Sequence, residues 1–124
     1  MAIEERLEMV SANAGADLSA AANQFKVVKL NSSGDIVLAS AITDVPFGIL
    51  QDVGTQGHPL PVAVGGICKA MAGATIAAGA PVATKADGTL QTAATTQYVI
   101  GTARYGGASG EVISVLLNPA PIKA

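Results

Sequence analysis

The chain has 124 residues, a formal net charge of −2 and only 13% charged residues. Half of it is hydrophobic, yet aromatic residues make up 3% and tryptophan is absent. This excludes the basic footprint of a nucleic-acid-binding domain and the aromatic platform that stacks bases, and the acidic balance argues against an anionic membrane as partner.

The length fits one domain. Alanine supplies much of the hydrophobic content, and small side chains remove little area from water, at roughly 25 cal/mol per Å². A thin core is therefore expected, with self-association or docking on a partner adding burial that the single chain lacks.

Residues 1–24 stand apart. "EERLEMV" carries Glu4, Glu5, Arg6 and Glu8, which could support one helical turn, and "SANAGADLSAAANQ" is small, polar and without period. The stretch reads either as a frayed terminus or as an arm that orders on a partner surface. "MAIEERLEMV" lacks the basic start and apolar centre of a signal peptide, and no run approaches the ~18 apolar residues of a spanning helix. Synthesis in a reducing cytoplasm is expected, in keeping with a single cysteine, Cys68, which permits no intrachain disulfide.

From Phe25 the chain reads as short strands between turns: 25–30, 36–40, 45–53, 60–64, 66–72, 89–93, 98–104 and 111–117. Turn signals arrive every eight to twelve residues, the spacing of an all-β barrel or sandwich. Ser33-Gly34 and Asp87-Gly88 suit tight hairpins, because glycine accepts positive φ. The alanine-rich stretch 70–80 imitates a helix, but Gly73, Gly79 and Pro81 argue against one.

An internal echo runs through these strands. "SGDIVLASAITDVPFGILQDVGTQG" sets Gly34, Gly48, Gly57 and then Val62 against Gly88, Gly101, Gly110 and Val115 of the later stretch. Two quasi-repeats, about 25–64 and 80–117 joined by 65–79, suit a closed or nearly closed barrel. A glycine inside a strand marks a bulge, a bend or a close backbone approach. Gly48 and Gly101 are placed to let equivalent strands curl. Pro46 lacks a donor and belongs at a strand start or edge. Phe47 and Tyr98 are candidate fillers or exposed anchors.

Chemistry is sparsely provided. His58, the only histidine, lies in the glycine loop "GTQGHPL" and reads as a surface residue. Cys68 alternates with apolar neighbours and reads as a small buried hydrophobe. One His, one Cys and scattered carboxylates cannot make a closed zinc site, and Asp35, Asp44, Asp52 and Asp87 sit singly in turns or at strand ends, as turn formers do. No catalytic residue, cofactor or metal is expected. The alternative is a biotinyl- or lipoyl-type carrier barrel with a modified Lys69. Here Lys69 precedes Ala70-Met71, the reverse of the biotin-carrier order, and its flanks read as strand interior.

The ordered series "ADLS", "KVVKL", "DVPFGILQ", "GATIAAGAPV", "DG", "IGTA" and "GEVISVLL" resembles the capsid cement (head decoration) proteins of tailed bacteriophages over roughly residues 14–117. The resemblance implies a β-barrel-like domain, 23–124, with an extended N-terminal arm, 1–22. It implies a structural virion protein on the outer capsid surface that binds the major capsid protein, cements neighbouring subunits of the expanded head and self-associates as a homotrimer. No catalytic motif comes with it. The interface candidates are Ile3, Leu7, Met9, Val10 and Leu18 from the arm, Pro46, Phe47 and Leu50 from the third strand, and His58 and Pro59 from the loop after it. The first dozen residues are more charged than the family pattern, which puts the arm's role in question.

Overall fold

The computed structural model describes residues 5–94 and 97–123, with side chains at 7–94 and 97–117. Among the described residues the chain forms β1 (Glu5–Asn13), β2 (Val27–Leu30), β3 (Ile36–Leu38), β4 (Gly48–Leu50), β5 (Pro59–Met71), β6 (Pro81–Thr84), β7 (Leu90–Thr92), β8 (Tyr98–Tyr105) and β9 (Val112–Lys123), with one short 3-10 turn at Ala21–Asn23. All strands join one antiparallel sheet in the order β3-β2-β4-β5-β9-β8-β6-β7, and β1 also pairs with β5. The all-β, barrel-like expectation holds: the sheet curls on itself around an aliphatic interior.

The internal echo is a repeat of topology. Strands β3-β2-β4-β5 are ordered as β7-β6-β8-β9 are. Val28 lies opposite Gly48, and Val82 opposite Gly101. Leu30 pairs with Ile36, and Thr84 with Leu90. The Gly57 N–H donates to the Ala14 carbonyl and the Gly110 N–H to that of Ala72, both at 2.8 Å.

The repeat reaches further than its sequence signal. Isolated bridges join Ala14 to Ile36 and Leu18 to Gly54, and their counterparts join Ala72 to Leu90 and Ile76 to Gly107. The segment 65–79, expected as a joint, thus opens the second unit, and the stretch from β1 to Leu18 opens the first. Asn13 faces Pro59 on β5 just as Met71 faces Val112 on β9.

Two local expectations change accordingly. The helical turn considered around Glu4–Glu8 is not formed from Glu5 onward, where the chain is extended; the β5 edge offers a run of backbone partners that a charge pattern cannot match. The strands expected at 60–64 and 66–72 are one strand, β5. Gly65-Gly66 bends it instead of ending it. Gly66 has φ of 75°, and the β1–β5 register slips around Glu8, opposite Gly65. An extra residue accommodated at a glycine is how a long strand changes direction without losing its ladder. Here it lets β5 belong to both units.

Each unit has its own interior. One cluster contains Ala14, Leu18, Val28, Ile36, Leu50, Leu60 and Val62. The other includes Ile76, Val82, Leu90, Ile113 and Val115, and is joined by Val27 and Ile49 from the first unit. Leu18, Val28, Ile36 and Val62 stand where Ile76, Val82, Leu90 and Val115 stand in the second unit. Among the described residues the largest fully buried side chains are Ile, Leu and Val, with Cys68, and no aromatic is among them. Each of the aliphatic ones contributes about 1.5–3 kcal/mol when buried, so the interior is narrow but evenly filled.

Candidate interaction site

The most exposed apolar ground lies where β2 ends and the β3–β4 connection arrives. Leu30 closes β2 on the same strand face as the buried Val28, at the end where the interior gives way to solvent. Leu30 and Ile42 are each 46% exposed and Val45 is 59% exposed. Leu30, Val45, Pro46 and Phe47 enclose a shallow open pocket of about 180 Å³. Pro46 is itself buried, and Phe47 is half-buried against the first unit's interior.

The connection holding this pocket is organised by one carboxylate. Asp44 Oδ2 accepts from the N–H groups of Ser40 at 2.9 Å and Ala41 at 3.0 Å, and from the Lys29 ammonium at 2.9 Å. Desolvation raises the Asp44 pKa, but these hydrogen bonds and the Lys29 charge outweigh it and hold the group below the ordinary aspartate value. Lys29, one residue before Leu30, is thereby paired beside the pocket. At the other end of the connection, the Phe47 N–H donates to the Val28 carbonyl at 2.8 Å. The ring is therefore placed by backbone pairing.

The two units differ here. In the second, Tyr98 and Val99 occupy the positions of Val45 and Pro46, and they are paired by Lys123 and Ile122 of β9. In the first, β4 pairs with β5 only at Ile49 and Leu50. β5, the counterpart of β9, bends at Gly65-Gly66 and continues to Met71 in the second unit. The pocket lies beside residues 45–46, which pair with no strand among the described residues.

The interface candidates fall in several places. Leu18 and Leu50 are interior side chains, and Pro46 is buried. Leu7 is half-buried against the larger cluster. Met9 and Val10 are exposed on β1, and Ile3 lies outside the described residues. His58 and Pro59 are exposed on the β4–β5 loop, beyond the far end of β4 from the pocket. That loop is fixed to the chain's start, with the Ala14 N–H donating to the His58 carbonyl at 3.0 Å. His58 Nδ1 shares a short hydrogen bond with the Thr55 hydroxyl. Pro46 and Phe47 are thus the two candidates brought together in one concave site. Sequence reasoning missed Leu30, Ile42, Val45 and Leu116, all exposed. Leu30 ends a β-rich run just before a turn, and Ile42 and Val45 sit in a small-residue connector; apolar residues at such places were the available signal.

The remaining reactive side chains do not converge. Cys68 is fully buried. Lys69 lies mid-strand in β5 opposite Ser114, with its carbonyl accepting from Gln51 Nε2 at 3.2 Å. A carrier lysine needs a hairpin tip, and this one is half-buried in a sheet. Among the described residues, no three His, Cys, Asp or Glu side chains gather as a metal site would require.

Comparison with known proteins finds a family and similar solved structures. The family model described as "Phage cement protein" matches residues 19–118, most of the chain, beginning after the opening stretch of the first unit. No curated protein matches the chain. Among solved structures, the N-terminal base of the head fiber gp8.5 of bacteriophage phi29 is similar, with a TM-score of 0.68 at 17% identity, covering 95% of this chain and 99% of that one. At that identity the likeness speaks to the fold.

Proposed function

We propose a role for this protein on the premise that the chain belongs to the phage cement protein family: it binds the outer surface of a phage head and cements neighbouring major capsid protein subunits. The observation that carries the reading is the family match across residues 19–118. The apolar ground around Leu30, Val45 and Phe47 supports it, since a contiguous exposed apolar patch on a small protein marks an interaction surface.

Such a clamp is interfacial and needs no reaction. Each copy buries modest area on two or more coat subunits, and many weak contacts repeated over a lattice add through effective concentration. In this reading the stretch 1–22, held on the body by β1 and the buried Ala14 and Leu18, presents its exposed side chains to the coat, while the domain 23–124 spans subunits. The outward Met9 and Val10 of β1 are the arm's apolar contribution. Self-association, as a homotrimer, adds the burial that narrow interiors leave unmade.

The test is reconstitution. Phage heads lacking the protein are mixed with purified chain, pelleted and heated. Saturable co-sedimentation together with a raised temperature of DNA release is expected. Absence of binding, or binding that leaves release unchanged, would overturn the proposal.

A further inference from the structure

We infer that the Leu30–Phe47 pocket is the seat of one extended, uncharged, aliphatic segment of the coat protein, laid along residues 45–46 as the chain's own Ile122-Lys123 is laid along Tyr98-Val99. The inference rests on the proposed function and names the contact that function would use.

The internal repeat says what kind of object belongs there. In the second unit, the positions before Gly101 are covered by extended backbone of β9. Among the described residues, the equivalent positions before Gly48 pair with no strand, because β5 continues into the second unit. The pocket is the uncovered counterpart of a covered site, so the fitting occupant is an extended strand supplied by another molecule.

Chemistry narrows the occupant. The pocket is lined by apolar residues, and Lys29, next to Leu30, is matched by Asp44, so among the described residues complementarity calls for a neutral segment. The volume of about 180 Å³ suits one or two aliphatic side chains; a cavity of about 150 Å³ holds benzene.

Pro46 sets the manner of binding. Phe47 turns its N–H toward β2, and alternation along the strand turns the backbone of residue 46 to the opposite edge. Proline brings a carbonyl there but no N–H. The edge can accept a hydrogen bond but not return one. Recognition therefore runs through side chains in the pocket, and open-ended strand addition between copies is discouraged.

The second copy is the poorer occupant. Its β9 is already engaged by β5 and β8, so donating that segment would cost its own second unit.

The experiment uses the full chain and isolated heads lacking it. Binding is titrated for wild type, Val45→Asp and Val45→Ala, with circular dichroism and melting confirming that each variant folds. A photo-crosslinking residue at position 45 reports the neighbour. The expected result is wild-type binding, at least about tenfold weaker binding for Val45→Asp, a smaller loss for Val45→Ala, and a crosslink to coat protein. Wild-type binding that Val45→Asp leaves unchanged, or a crosslink to a second copy, overturns the inference alone. A wild-type chain that does not bind heads removes the functional reading and this inference together.

Discussion

Gly48 and Gly101 face equivalent obstacles 53 positions apart. A Cβ on Gly48 would stand 2.5 Å from the Ala63 carbonyl oxygen and 2.6 Å from Val62 Cγ1; a Cβ on Gly101 would collide with the Leu116 carbonyl oxygen and reach 2.9 Å from Val115 Cγ1. Ala63 and Val62 correspond to Leu116 and Val115 in the repeat. The close approach of β4 to β5 is thus built a second time between β8 and β9, and only a residue without a side chain permits it. Gly48→Ala and Gly101→Ala are each expected to lower stability by about 1–3 kcal/mol, measured as urea unfolding midpoints. An unaltered midpoint in either variant would show that the strands can separate without cost.

Leu50 and Val45 should respond in opposite ways. Leu50 is fully buried in the first unit, and Leu50→Ala is expected to cost about 2–5 kcal/mol in the isolated chain. Among the described residues Val45 is the most exposed of the large apolar side chains, and Val45→Ala is expected to stay within about 0.5 kcal/mol. Thermal melts of the two purified variants make the comparison. A near-neutral Leu50→Ala would place that side chain at a surface and not in an interior.

Acid should loosen the turns before it reaches the aliphatic interior. The Thr89 hydroxyl, donating at 2.5 Å, is the main cause of the lowered Asp87 pKa. At Asp44, hydrogen bonds from Ser40, Lys29 and Ala41 prevail over a desolvation that acts the other way. A carboxylate whose folded pKa is depressed stabilises the fold above its unfolded value, and that contribution is lost as pH falls through the folded one. Stability is therefore expected to be level with respect to these two groups from neutral pH down to about 5, and to decline below 3.8, the ordinary aspartate value. Asp44→Asn should shrink the acid-induced loss in denaturation curves taken at pH 7 and pH 3. Equal losses in variant and parent would remove Asp44 from the explanation.

Cys68 should be silent in the folded chain. Its side chain has no solvent exposure, and thiol chemistry requires an accessible thiolate. A chromogenic disulfide reagent is expected to label it only after denaturant is added, with one equivalent of thiol released then. Rapid labelling under native conditions would mean that the β5–β9 pairing opens readily.

Much of this architecture was legible because glycine and turn residues carry geometric demands. Gly34, Gly48, Gly57 and Val62, set against their later partners, located the repeat before any coordinates. What stayed hidden was its opening strand. β1 has Met9 and Val10 exposed side by side, so it shows no alternation, and its existence depends on the edge of β5 far away in sequence. The same holds for Gly65-Gly66. A glycine pair between apolar runs signals a break as readily as a bend, and only the neighbouring strands decide. In the site, Pro46 and Phe47 were visible as unusual residues in an apolar run. Leu30 and Val45 were not, because their exposure follows from where β5 goes next and not from their own surroundings.

β5 ties the halves together in a way that side-chain packing alone would not. Its thirteen residues form one strand across the Gly65-Gly66 bend, at about 3.3 Å each where extended, so the connection has little slack to give. A pull that separates the halves meets taut covalent backbone first, and the flanking ladders must then shear along their length. Under load, tension would pass through the body of the molecule along β5 as along a wire.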